Sequence, residues 1–275
     1  MKKLVTAFAA CMIAGLVSAQ VSSQNVVGYN TVLLKVGVNA VAPSFDQVSG
    51  GSMDLQAVIP GTTAGLKKGG AAGLADNIMI WDLANTKYNL YFLHDGSGKN
   101  NLPKANKWVD NATQLVASNV AVSASSGLFY VNNNTSNETV VIAGQVIADT
   151  VKISAIPVGV NMIASPYTSE WYLNNDGPDG KTIVDWAASA AKKGGAAGLA
   201  DNVMIWDLPN TKYNLYFLHD GSGKNNLPKA NKWVNNATGL VASNLFIAAN
   251  EGFFYVNNNT VALSLTNAAP YTLNP

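Results

Sequence analysis

The chain has no arginine: every one of its 17 basic residues is lysine. It has one cysteine and two histidines, and its only glutamates are Glu138, Glu170 and Glu251. Charged residues make up 12% of the sequence, against about 25% in typical domains. Each scarcity excludes something. With no guanidinium groups and no basic excess, nucleic acid is not an expected partner. A lone cysteine cannot close an intramolecular disulfide. Asparagine, glycine, serine and threonine supply the polarity instead, which suits an exported β-rich protein with many turns.

The N-terminus reads as a targeting segment. Met1-Lys2-Lys3 is a positive start, Leu4 to Val17 is apolar but short for a bilayer span, and Val17-Ser18-Ala19 is a small-residue cleavage site. The expectation is a signal peptide over 1–19, cut between Ala19 and Gln20. That places the protein outside the cytoplasm: secreted, at the cell surface or in the periplasm. Cys11 lies inside this segment. A lipid on Cys11 is the rival reading, but Phe8 at the third position before it makes a poor lipidation box. Cleavage after Ala19 leaves a mature chain with no cysteine and no transmembrane span, and with 15 lysines against 16 acids. A membrane β-barrel would want alternating strands of about ten residues, longer than those legible here.

What the chain does have is a long internal repeat. Lys67 to Thr135 returns 125 positions later as Lys192 to Thr260, with 58 of 69 positions identical. A unit of that length is a domain rather than a solenoid turn. Two modules follow, 25–145 and 146–275, with no Pro/Gly/Ser linker between them. The fold class expected is mostly β: two tandem β-sandwich or barrel-like modules, each with one short helix.

Local patterns fill in the modules. Val26 to Val36 and Lys152 to Val160 read as opening strands. Asn77 to Leu83 and Tyr88 to His94 read as a hairpin across Ala84-Asn85-Thr86-Lys87. Lys107-Trp108-Val109, Gln114 to Ala117, Leu128 to Asn132 and Thr139 to Val146 read as further strands. The helix of module 1 is expected around Met53 to Val58, before Pro60. In module 2, Thr182-Ile183-Val184-Asp185 reads as a capping box, with Ile183, Trp186, Ala187 and Ala190 on one helical face. Alternation predicts Met79, Trp81 and Leu83 inward, with their counterpart Trp206.

Several of these elements carry a resemblance. Gly37 to Pro43, Ile80-Trp81-Asp82, Lys107-Trp108-Val109, Gly127-Leu128-Phe129-Tyr130-Val131 and Ala143-Gly144 recur in pattern in module 2, around Trp206, Trp233 and Gly252-Phe253-Phe254-Tyr255-Val256. The layout resembles a largely uncharacterised family of repeated β-rich modules in exported bacterial proteins. Val38 and Val160 stand where that pattern usually has tryptophan. The resemblance implies secretion and a β fold, and no known activity.

Candidate chemistry is sparse. His94 and His219 are equivalent positions; a hydrolase would pair His94 with Asp95, Asp76 or Asp82 and with a serine such as Ser97. No nucleophile-elbow pattern surrounds Ser97, and Asp95-Gly96-Ser97-Gly98 is good turn chemistry. The oxygens of Asp95, Ser97, Asn100 and Asn101, and of Asp220 and Ser222 in the copy, loosely suit calcium, as does the turn Asp176 to Gly180. The Asp-x-Asp-x-Asp-Gly series and its distal glutamate are missing. No cofactor is expected, with calcium as the alternative. The aromatics suggest sugar stacking: Trp108 and Trp233, bordered by Asn111 and Asn236, are the candidate platforms of a bivalent carbohydrate-binding module. The repeated acids are aspartates, and none of the glutamates recurs between the modules, so a paired-carboxylate glycosidase has little support. The expected function is a non-enzymatic structural or adhesive protein of the surface or matrix, with glycans or other surface proteins as partners. The bivalent carbohydrate binder is the alternative, and a secreted hydrolase comes after it.

Overall fold

The computed structural model describes residues 26–117, 120–174, 183–243 and 245–271. The expected cleavage site Ala19/Gln20, Cys11, the sequence Asp176 to Gly180 and the expected cap residue Thr182 lie outside the described residues. The described chain is mostly β, and it is built from two similar five-stranded antiparallel sheets. The first half contains β1 (Val27–Leu34), β2 (Gly37–Val41), β3 (Met53–Asp54), α1 (Leu55–Val58), β4 (Asn77–Asp82), β5 (Lys87–His94), β6 (Lys107–Asp110), β7 (Ala121–Val122), β8 (Leu128–Asn132) and β9 (Glu138–Gln145). The second contains β10 (Val151–Ile156), β11 (Gly159–Ala164), β12 (Trp171–Tyr172), β13 (Asn202–Asp207), β14 (Lys212–His219), β15 (Lys232–Asn235), β16 (Phe246–Ile247), β17 (Gly252–Asn257) and β18 (Leu263–Ala268).

The sheets run β2-β8-β4-β5-β6 and β11-β17-β13-β14-β15. Each is covered on one face by a two-stranded ribbon, β1-β9 or β10-β18. Period-2 alternation makes the ribbons one-sided. Along β9, Val140, Ile142 and Gly144 are buried while Thr139, Val141 and Ala143 are exposed. The buried set meets Ile78, Tyr91, Leu93, Trp108, Leu128 and Tyr130 of the first sheet. The second module repeats this core with Leu263 and Leu265 over Val203, Leu218, Trp233, Phe253 and Tyr255.

The expected hairpin is present. Asp82 pairs with Lys87, and the Asp82 carboxylate accepts from the Asn85 backbone N–H at 3.1 Å and its side-chain amide at 2.8 Å. Those bonds hold Asp82 below the usual carboxylate range. The expected strand at Gln114 to Ala117 reduces to a single bridge, Val109 to Val116.

The helix differs between the halves. In α1, Asp54 caps the first turn by accepting from Gln56 N and Ala57 N at 2.7 and 3.2 Å. In the second half, Asp185 accepts from Ala187 N and Ala188 N at 2.9 and 3.2 Å, and Ser189 N closes one turn onto Asp185 O. No helix follows that turn. The backbone is already committed at Lys192, whose N–H donates to the Asp201 carboxylate. Ile183 and Trp186 are buried, whereas Ala187 and Ala190 face solvent. A single turn cannot propagate against that constraint.

The second face of each sheet turns toward the other module. Phe129, Met162 and Phe254 form the buried centre there, flanked by Met79, Trp81, Met204 and Trp206. The alternation read from β4 holds, but the faces are reversed. Ile78 enters the module core and Trp81 the interface. Alternation fixes which residues share a face; it does not say which face is covered by what. Here both faces are covered.

Candidate functional site

The histidines are closed off. His94 and His219 sit at the ends of β5 and β14, 1% and 2% exposed. Nδ1 of each accepts from a backbone N–H, Gly96 at 2.8 Å and Gly221 at 2.7 Å, and each ring tilts against Phe92 or Phe217. A base must reach a substrate proton, and these nitrogens are tied into turns. Of the proposed partners, only Asp95 comes near, at 3.6 Å from Nδ1, with Asp220 equivalent in the copy. Asp82 caps its hairpin. Asp76 holds a separate buried network.

That network is the best-satisfied polar cluster in each module. Asp76 is fully buried and accepts from Lys67 N, Asn133 N and the Tyr130 hydroxyl at 2.8, 2.8 and 2.7 Å. Asp201 repeats it with Lys192 N, Asn258 N and Tyr255. Burial, with the neighbouring carboxylate, pushes the Tyr130 hydroxyl far above its ordinary value. The arrangement ties a loop, β4 and β8 together. It is sealed from solvent and offers nothing to a ligand.

The candidate calcium oxygens are spent on turn geometry. Asp95 Oδ1 accepts from Ser97 N at 2.8 Å, and Asn101 donates its amide to Ser97 O at 3.0 Å. Asp220 and Ser222 do the same in the copy. Hydrogen bonds from Ser97 and Ser222 lower the two carboxyls. Among the described residues, no group of three or more His, Cys, Asp or Glu side chains is placed to hold a metal ion.

The sugar-stacking platforms are absent where they were expected. Trp108 and Trp233 are fully buried. Trp108 lies edge-on to Tyr130, and its Nε1 donates to Ile59 O at 2.7 Å. Asn111 and Asn236 lie exposed beyond the strand ends. Strand alternation separates them: β6 sends Trp108 into the main core and Val109 to the opposite face, with Phe92 and Ala75. An indole with no exposed face cannot stack on a sugar.

The interface between modules carries what sequence reasoning missed. Trp81 Nε1 donates to Val160 O at 2.6 Å, and Trp206 Nε1 donates to Val38 O at 2.8 Å. Ala42 N bonds Asn250 O, and Ala164 N bonds Ser125 O, at 2.8 and 2.9 Å. The hydroxyls of Tyr88 and Tyr213 face each other across the interface. Phe129 meets Phe254, ring centres 5.9 Å apart. Each contact recurs with the modules exchanged, so the two halves pack as an isologous pair within one chain. A Cβ at Gly127 would stand 2.9 Å from Ile163 O and 3.0 Å from Gly252 Cα, so the close crossing needs glycine there.

Beside this interface runs a groove of about 540 Å³, between β1–β2 of the first module and the turns 206–209 and 248–251 of the second. Lys35, Asn39, Trp206, Asp207, Asn214 and Glu251 contribute its polar and aromatic lining. Burial raises the Glu251 carboxyl, against the lowering effect of its bond from Ala248 N and of the Lys35 ammonium. The signal for Glu251 was its failure to repeat: Ser126 occupies the equivalent position.

Comparison of the chain with protein-family models, with curated proteins and with solved structures returns no match. Among the described residues, no helix is long and apolar enough to cross a membrane.

Proposed function

We propose that the protein is an exported, non-enzymatic structural or adhesive component of the cell surface or matrix. The observation that carries this reading is the reciprocal pair of bonds from Trp81 to Val160 and from Trp206 to Val38. They clamp two duplicated modules into one body with a buried aromatic interface and no linker. Such a body suits bearing and spacing better than gating. The sealed histidines support a role without chemistry. The signal-like segment before Gln20 and the resemblance to exported repeated modules support export.

The test is fractionation of bacteria expressing the full chain, with mass spectrometry of its N-terminus. The expected species starts at Gln20 and lies in the envelope or medium. An intact Met1 chain confined to the cytosol would overturn export. Turnover in an esterase and glycosidase screen, lost in His94→Ala/His219→Ala, would overturn the non-enzymatic reading.

A further inference from the structure

We propose that the groove beside Glu251 is a single saccharide-binding cleft, formed only when the two modules are joined. This goes beyond the structural reading and stands whether or not the chain is exported. Its volume, about 540 Å³, lies in the range of small-ligand sites, about 300–1,000 Å³. Its lining suits a hydroxyl-rich ring. Adjacent sugar hydroxyls both donate and accept. Glu251 accepts and Lys35 donates; Asn39 is spent on its own turn with Lys35 and Gly37, and Asp207 accepts from Asn210 and Asn214, which leaves the Asn214 side-chain oxygen and spare carboxylate lone pairs as further acceptors. Leu208 and Pro209 give an aliphatic wall for the C–H face.

The repeat supplies an internal control. Across the pseudo-two-fold, Asn39, Asp207 and Asn214 have equivalents of the same type in Asn161, Asp82 and Asn89. Lys35 is replaced by Pro157, Glu251 by Ser126 and Ala40 by Met162, a side chain buried in the interface. Two of the polar groups, and part of the space, therefore belong to one side only. One ligand per chain follows, not two.

The cleft is also preformed. Asn250, at φ 63°, donates its amide to Ala42 O and Pro43 O at 3.1 and 2.7 Å, and its side-chain oxygen accepts from Asn30. Those bonds pin the turn that presents Glu251 against the first module. One Glu251 oxygen accepts from Ala248 N at 2.9 Å. The other has no hydrogen-bond partner among the described residues. A rigid site loses less on binding than one that must be ordered. Lys35 facing Glu251 argues against a purely cationic ligand, which would meet a like charge.

The test is isothermal titration of the intact chain with cellotriose, maltotriose and chitotriose, and with putrescine as the cationic comparison. At least one trisaccharide should bind at one site per chain. Glu251→Gln, and Pro209→Trp, which fills the groove, should each weaken it at least tenfold, with melting curves unchanged. Lys99→Gln, exposed in the β5–β6 loop at the sheet edge opposite β2, should leave it intact. The proposal is overturned if no trisaccharide binds at millimolar concentration, if two sites per chain are found, if both groove variants bind as the parent does, or if only putrescine binds.

Discussion

The indole N–H of Trp81, in the first module, donates to the backbone carbonyl of Val160, in the second, at 2.6 Å. Its mirror image joins Trp206 to Val38. Removing both rings by Trp81→Ala/Trp206→Ala should strip the interface of its two indole hydrogen bonds and much of its aromatic area. The expected loss approaches, for each ring, the low end of the about 3–5 kcal/mol that truncating a buried aromatic costs, because both rings are only partly buried. In calorimetry the single cooperative transition should split into two, one per module. An unchanged single transition would show that the modules are not coupled through these residues. Trp81→Phe alone keeps most of the ring and should cost only about 0.5–1.5 kcal/mol, the net value of one hydrogen bond.

Asp76 is the second point of leverage. Asp76→Ala strands the Tyr130 hydroxyl and the N–H groups of Lys67 and Asn133 in a buried site. Each orphaned donor costs about 1–3 kcal/mol, enough together to unfold the first module. Tyr130→Phe removes one donor and leaves the carboxylate two others, so it should cost far less. Denaturant melts of the two variants would check the order. Equal losses would mean that the carboxylate is not the hub.

The sequence revealed period but not partner. The β4–β5 hairpin and the strand at Leu128–Asn132 were legible because alternation and the turn chemistry between Asp82 and Lys87 are local signals. Trp81 and Trp108 were misplaced for one reason: both are aromatic residues on alternating strands, and the pattern is blind to what lies on each side. Trp108 was read as a platform and is core; Trp81 was read as module core and is interface. The groove was illegible because it is made by residues from β1, β2 and two distant turns, brought together only by the module–module contact. Lys35 and Glu251 are 216 positions apart in the chain. The helix of the second half failed differently. Asp185, read as the last residue of a capping box, itself caps a single turn, and the tertiary commitment of Lys192 to Asp201 stops the chain there.

Alkaline pH should loosen the interface. Burial pushes the Tyr88 hydroxyl up to about 12 from an ordinary value of 10.0, and burial raises Tyr213 as well. Between these values the folded chain holds a proton that the unfolded chain has released. The folded state binds more protons, so stability falls as pH rises. This contribution is fully present below about pH 10 and is lost as pH passes about 12. Tyr88→Phe/Tyr213→Phe removes the two groups, and the decline in melting temperature over that window should become shallower. Tyr130, Tyr167 and Tyr255 are also raised and will keep part of the slope. A decline as steep in the double variant as in the parent would remove the interface from the alkaline response.

The two core tryptophans are equivalent in sequence but differ in bonding, which gives a test within one molecule. Trp108 Nε1 donates to Ile59 O at 2.7 Å, whereas Trp233 Nε1 is buried with no partner among the described residues. The second module fills the space beside Trp233 with Trp186, edge-on at 5.0 Å, whose own Nε1 bonds Leu173 O. A Trp→Phe change removes ring area in both cases and keeps an aromatic edge for the neighbours. In Trp108→Phe it also orphans a buried carbonyl, at about 1–3 kcal/mol. In Trp233→Phe it removes a donor that was already unpaired, which offsets part of the lost packing. Trp108→Phe should therefore be the more destabilising change, by about 1–2 kcal/mol, read from the melting of each single variant against the parent. If Trp233→Phe is as costly, its N–H has a partner in solution, such as a buried water.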